Sequence, residues 1–295
     1  MRLVLVHGIH QQGKDPAKLK QTWLEDLEKG LQEPGALADV EVEMPFYGDI
    51  LVAAMARGPT GAIAQGPSAD DDRDMAEFLA AGLAEQAAAA NIGPDAIRAE
   101  QERLAGEAAL AIAVEQGFPV SRRINAIVSL LEKVSPWRGD LAVRLLSQAY
   151  EYLRKPHVSA AVDAAVKPVL SRGPMVLVTH SLGTVVSFKL LRDLAGAGVP
   201  TQVPLYVTCG SPLTLATVQR ALQPPFATPS GIGRWLNVRD RDDFISLDRA
   251  LTPPLYPGPI DNRDDFENPG HDAHAIPGYL SYEPLARAVL GALRA

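Results

Sequence analysis

The sequence predicts an α/β protein: a mostly parallel sheet flanked by helices, interrupted by a block of helices. Three observations point there. Residues 3–6 and 175–179 are short apolar runs rich in Val and Leu, each ended abruptly and followed by a helical pattern. That strand-then-helix alternation occupies both ends of the chain and is absent between about residues 50 and 168, where Ala-rich stretches of high helix propensity take over. Finally, Thr179-His180-Ser181-Leu182-Gly183 sets a serine at the turn where a strand gives way to a helix.

Taken in order, residues 3–6 read as a buried strand closed by His7-Gly8, and residues 8–13 as a loop. Asp15-Pro16 opens a helix, with Asp15 as N-cap and proline in the first turn, running to about Gly30. Residues 40–46 alternate in polarity, which predicts a second strand. Within the central block, residues 80–90 and 97–114 predict helices. Two more follow from apolar spacing: Ile124, Ile127, Val128 and Leu131, then Leu141, Leu145, Leu146, Tyr150 and Leu153. Gly58-Pro59, Gly66-Pro67, Gly93-Pro94 and Ser135-Pro136 punctuate the block. The expected division is a core of residues 1–49 and 169–295 with a helical cap of residues 50–168. Beyond it, strands are expected at 175–179, 205–208 and 234–238, and helices at 182–195, 214–222 and 284–294. Residues 240–282 read as one long loop, a length that usually signals function.

Composition bounds the function. The chain has 295 residues, 47% of them hydrophobic, enough for a substantial core, and its net charge of −7 argues against nucleic acid as a partner. A single cysteine, Cys209, excludes an intramolecular disulfide and suits a reducing compartment. The first apolar run is too short for a signal peptide, and no stretch approaches membrane-spanning length, so a cytoplasmic location is expected.

The serine needs a base, an acid that orients the base, and donors for an oxyanion. Ser181 is the candidate nucleophile, and the N–H of Leu182 the first oxyanion donor. The second donor is expected from the loop after the first strand, at Gly8 or Ile9. Acid and base should follow in the order Ser, Asp, His. Asp243 is favoured as acid because Phe244-Ile245 behind it can tuck under the core; Asp240 competes from the end of the strand. His274 is favoured as base because an apolar run follows it, with His271 as the alternative. His180 adjoins the serine but should point elsewhere. His7 with His10, and His271 with His274, can also be read as metal pairs, though without cysteine or an H-E-x-x-H setting. No cofactor is called for.

These residues resemble the α/β-hydrolase superfamily, in its lipase- and esterase-like branches. The likeness rests on Leu5-Val6-His7-Gly8, on the elbow with Thr179 in place of its first glycine, and on Gly210-Ser211-Pro212-Leu213. It extends to Asp240 through Ile245, similar to an Asp-x-x-Asp-Pro-Val pattern whose second Asp falls on Asp243, and to His274 through Leu280. The resemblance implies a shortened lipase-like sheet, a cap over the site, and hydrolysis of a small or lipid-like acyl ester through an acyl-enzyme. Thioesters, phospholipids and amides use the same machinery.

Two other classes compete. Gly8 through Lys14 nearly spells a phosphate-binding loop, with Asp15 where a Ser or Thr is needed. A hydrolase fold used only for binding is the other. The apolar faces of residues 122–153 are expected to pack on the core, while Arg122, Arg123, Lys133, Arg138 and Arg144 offer a weaker case for contact with an anionic membrane surface.

Overall fold

Strand β1 (Arg2–Val6) is buried along its length, which a run of Leu and Val tolerates when both faces are covered. The structure, a computed structural model, describes residues 1–56, 69–110, 119–136, 138–269 and 272–295. Five further strands join β1: β2 (Val42–Glu43), β3 (Pro174–His180), β4 (Gln202–Cys209), β5 (Ile232–Asp240) and β6 (Ile260–Phe266). They form one sheet in the order β2-β1-β3-β4-β5-β6, and every neighbouring pair is parallel.

Parallel pairing requires crossovers; helices supply those up to β5, and residues 241–259 join β5 to β6 without one. Helix α1 (Pro16–Leu31) links β1 to β2, with Asp15 capping the N–H groups of Ala17 and Lys18. Between β2 and β3 the described residues form six helices: α2 (Gly48–Met55), α3 (Ala69–Ala89), α4 (Pro94–Leu110), α5 (Pro119–Val134), α6 (Arg138–Arg154) and α7 (Pro156–Leu170). Helix α8 (Leu182–Gly196) follows β3, α9 (Ala216–Leu222) follows β4, and α10 (Ile276–Ser281) and α11 (Glu283–Arg294) close the chain.

The two-residue period of the strands divides the core. Val4, Val6, Met175 and Leu177 face one apolar cluster, and Leu3, Leu5, Val176 and Val178 face the other. The second is covered by Trp23 and Leu27 of α1, Tyr279 and Leu280 of α10, and Leu285 and Val289 of α11. The first continues without a break into the inserted helices, through Ile127 and Leu131 of α5, Leu145 and Leu146 of α6, and Val158, Val162 and Val166 of α7. Glu100 ties α4 to α5 by accepting from Ser129 (2.6 Å) and pairing with Lys133 (2.8 Å). Of the basic residues that raised membrane contact, Lys133 is thus engaged internally. Arg144 pairs with Asp140, and Arg138 lies 4.9 Å from the centre of the Phe244 ring. No helix among the described residues is long and apolar enough to cross a membrane.

Several expected elements change. The strand expected over 40–46 shrinks to the two paired residues of β2. Residues 240–282, expected as a loop, contain β6 and α10. Strand β6 was hidden because Ile-Asp-Asn-Arg-Asp-Asp-Phe is an edge strand whose charges pair sideways: Arg234 with Asp261, and Arg239 with Asp264 at 3.0 Å. Such an edge repels further pairing, and its polarity erases the hydrophobic signal. Gly58-Pro59, Gly66-Pro67 and the end of the helix expected over 97–114 lie outside the described residues.

Because β2 and β3 flank β1 on opposite sides, the sheet reverses its direction of growth there. Crevices beyond the carboxyl ends of the strands at such a reversal are where open α/β sheets bind ligands. Helix α8 is drawn tightly onto β1 at this point. A Cβ on Gly183 would lie 2.5 Å from the Val6 carbonyl oxygen and also strike that of His7. Gly183→Ala is therefore expected to destabilise the protein by about 1–3 kcal/mol in urea unfolding. Gly196→Ala, at the far end of the same helix with nothing within 4 Å, should be neutral or stabilising.

Candidate active site

Ser181 stands between β3 and α8 with φ 53° and ψ −129°, a backbone conformation that glycine favours and a side chain opposes. Its surroundings hold it there. The Ser181 N–H donates to the Cys209 carbonyl (3.1 Å), and its own carbonyl accepts from the Thr184 N–H (2.9 Å) and hydroxyl (2.7 Å). Thr179 fits where a glycine is usual because its hydroxyl donates to the Val207 carbonyl on β4 (2.8 Å). Gly8 must lack a side chain, since a Cβ there would lie 2.6 Å from that of Ser181.

The turn aims the Ser181 hydroxyl at His274. Ser181 Oγ lies 2.9 Å from His274 Nε2, and His274 Nδ1 lies 2.9 Å from Asp243 Oδ2. The serine and histidine are 93 residues apart in the chain and the histidine and aspartate 31, so only the fold brings the three together. All are buried, at 1% exposure for Ser181, 6% for His274 and 0% for Asp243.

Burial is the largest single influence on Asp243 and pushes its pKa up. The nearby His274, its Nδ1–H, the Tyr279 hydroxyl and the Ile245 N–H together outweigh it, and the net direction is down. Asp243 is thus a carboxylate that accepts at both oxygens: Ile245 N–H at Oδ1 (2.9 Å), His274 and Tyr279 at Oδ2. Asp240, the competing acid, faces away. Its oxygens take the backbone N–H of Asp242 (2.8 Å) and of Asn268 (2.5 Å), which pins the acid loop to the segment after β6. His271, the alternative base, lies outside the described residues.

The N–H groups expected to stabilise an oxyanion lie next to Ser181 in the fold, Leu182 directly after it and Gly8 packed on its side chain. Among the described residues, those of Leu182, Gly8 and Ile9 have no protein acceptor. The first belongs to the amino end of α8, where partial positive charge accumulates. The Gly8 turn is fixed by His7, whose Nδ1–H donates to the Gly8 carbonyl (2.9 Å) while Nε2 accepts from the Tyr47 N–H (3.1 Å). The Tyr47 ring stacks on the imidazole at 4.1 Å, and its hydroxyl donates to the His7 carbonyl. Both His7 nitrogens are engaged, as are both of His274. No group of three or more His, Cys, Asp or Glu placed to hold a metal occurs among the described residues. Asp15 closes the phosphate-loop-like stretch as a helix cap, and its Gly8 packs on the serine.

Four residues that sequence reasoning gave no role also shape the site. His180 does point away from the serine hydroxyl. Its Nε2–H donates to the His274 carbonyl (2.9 Å), and the two rings lie 4.6 Å apart. Gly210, at φ 52°, backs the acid–base pair: a Cβ there would sit 2.6 Å from Asp243 Oδ2 and 2.9 Å from His274 Nδ1. The Gly-Ser-Pro stretch signalled that glycine. Tyr279 reaches Asp243, and Arg138 comes from α6; the apolar run after His274 and the basic character of α6 gave no sign of these contacts. A cavity of about 770 Å³ is lined by Arg138, Leu141, Asp242, Phe244, Asp272 and Ala273 among others; chain neighbours of Asp243 and His274 line it, while the triad side chains themselves do not.

Burial pushes the pKa of His7 down to about 4 and that of His180 to about 3. Between those values and the ordinary histidine range near 6.5, the unfolded chain binds protons that the folded chain excludes. Stability is therefore fully present above about pH 6.5 and falls as pH drops toward 4, each histidine contributing a slope of about 1.4 kcal/mol per pH unit. Asp240, raised mainly by burial, acts in the opposite sense above its ordinary carboxylate range. The urea midpoint should drop steadily from pH 6.5 to 4.5, and a constant midpoint would contradict the buried neutral imidazoles.

No protein-family model matches the chain, and no curated protein or solved structure matches it significantly. The assignment comes from the molecule itself. A parallel six-stranded sheet flanked by helices, a helical insertion ahead of a serine on a tight strand-to-helix turn, and a triad-like Ser181–His274–Asp243 arrangement match an α/β-hydrolase-type fold.

Proposed function

We propose that the protein is a serine ester hydrolase in which Ser181 is the nucleophile, His274 the general base and acid, and Asp243 the residue that orients His274. The observation that carries this is the continuous chain of hydrogen bonds from Ser181 Oγ through the two His274 nitrogens to Asp243 Oδ2. As Ser181 Oγ attacks an ester carbonyl, its proton passes to His274 Nε2. Asp243, held ionised, stabilises the imidazolium that forms. The carbonyl oxygen takes up negative charge and is met by the N–H of Leu182 and by those of Gly8 and Ile9, whose lack of a protein acceptor supports this role. The His274 Nε2–H then protonates the departing alkoxide, and water resolves the acyl-enzyme by the same steps. None of these steps calls for a cofactor.

The substrate class is an acyl ester of small to moderate size. The cavity lined by Arg138 and Leu141 of α6 and by Asp242 and Phe244, the neighbours of Asp243, supports an acyl or alcohol group lodged between α6 and the acid loop, with the described inserted helices as its cap. A rate profile over p-nitrophenyl esters of increasing chain length defines that pocket, and parallel assays on acyl-CoA and on phospholipid vesicles separate an esterase from a thioesterase or a phospholipase.

Ser181→Ala should lower ester turnover at least about 1,000-fold and abolish labelling by a fluorophosphonate. Retention of wild-type activity would rule the reading out, and a failure of the wild type to be labelled would favour a binding protein. Asp243→Asn should lower kcat about 10,000-fold by imposing the wrong imidazole tautomer. Asp240→Asn, which leaves the triad untouched, should keep kcat within about tenfold and act chiefly on stability through the lost Asn268 and Asp242 contacts. The opposite ranking of these two variants would move the acid to Asp240.

A further inference from the structure

We propose that Tyr279 is a positioning residue of this reaction: its hydroxyl shares Asp243 Oδ2 with His274 Nδ1–H and so sets how strongly the carboxylate holds the imidazole proton. The inference rests on the serine-hydrolase reading and deepens it. Tyr279 Oη lies 2.7 Å from Asp243 Oδ2, inside the 2.9 Å of His274 Nδ1 to the same oxygen. Its direction is determined by a second bond. The Asp240 N–H donates to Tyr279 Oη (3.1 Å), so the phenol accepts from one aspartate's backbone and its single hydrogen goes to the other aspartate's carboxylate. The ring has no freedom to turn away. It is fully buried on α10, 4.9 Å from Phe266 and 6.1 Å from His180. Burial, with Asp243 beside it, raises the Tyr279 pKa well above the ordinary phenol range, so it stays a donor at every working pH.

The consequence is electrostatic. A carboxylate that shares its charge among three donors draws less on each. With Tyr279 in place, the carboxylate draws less on the His274 Nδ1–H than it would with the imidazole as its partner at Oδ2 alone. The other ionisable groups around the pair are Asp240 at the end of β5, its carboxylate turned away, Asp242 from the acid loop, Asp272 from the turn before His274, His180 at the end of β3, Cys209 at the end of β4 and Arg138 from α6. Burial keeps His180 neutral and the Cys209 thiol protonated through neutral pH, and all six remain when Tyr279 loses its hydroxyl.

The test is the pH dependence of kcat/KM for p-nitrophenyl ester hydrolysis by the whole protein and by Tyr279→Phe, which keeps the ring and removes the donor. The acid limb should move to higher pH by about half a unit or more, kcat above the limb should fall by about three- to tenfold, and KM should stay within about twofold. A purely structural role would lower activity at every pH and leave the limb in place, and coincident limbs overturn the proposal. The low-field proton resonance of His274 Nδ1–H gives an answer without substrate. It should shift further downfield in Tyr279→Phe, and an unchanged resonance counts against the proposal whatever the enzyme hydrolyses. Activity surviving in Ser181→Ala would instead defeat the hydrolase reading, so the two failures are distinguishable. If Tyr279→Phe does not fold, 3-fluorotyrosine at position 279 strengthens the donor without changing the ring packing. The limb should then move to lower pH, and no movement overturns the proposal.

Discussion

At Ser181 a residue with a side chain is held in backbone territory that belongs to glycine, and the ends of three strands converge to hold it. Such a conformation carries strain of order 1–3 kcal/mol and persists only where neighbouring structure over-determines it. Here β4 accepts the serine's N–H at Cys209, Thr184 clamps its carbonyl, and the Gly8 turn of β1 presses against its Cβ. Two glycines permit the approach: Gly8 on the side of the loop and Gly183 where α8 lies on β1. The order of strands around the serine follows from the same requirement, because β1 must run beside β3 for its turn to reach the site.

A second polar framework holds the base from below. Asp240, Asp243, Tyr279, His180 and the backbone around His274 are joined by hydrogen bonds in which each buried polar group has a partner. The two aspartates that look equivalent in sequence divide the work. One satisfies backbone N–H groups and shapes the loop; the other receives the imidazole. The distinction is a matter of rotation along the chain after β5, where the Asp243 N–H bonds the Asp240 carbonyl in a turn (3.2 Å) and sends the two carboxylates in different directions.

The inserted helices are part of the same solid. Their apolar faces continue the core on one side of the sheet, and α6 brings Arg138 onto the Phe244 ring next to the acid. This couples the insertion to the acid loop through packing. The charged residues of the insertion are largely committed to one another, as at Glu100, with exposed positions such as Arg122 and Arg123 left to solvent.

The sequence alone determined the α/β alternation, the location of the helical insertion, the serine at the turn, and a short roster of acids and bases in the order Ser, Asp, His. It could do so because strand and helix periods, Gly183 and Gly8, and the Asp15 cap are local signals, written in residues close together along the chain. Only the tertiary structure decided which aspartate meets the imidazole, that β6 completes the sheet, and that Tyr279 and His180 join the site. Strand β6 carries charges that pair across the sheet edge and so shows no apolar period. Tyr279 reads as one more core residue on a short helix, and the partners of its hydroxyl lie 36 and 39 residues away in the chain. Ser181 was legible because its turn is local; what surrounds it was not, because hydrogen-bond partners drawn from four different segments leave no pattern in any one of them.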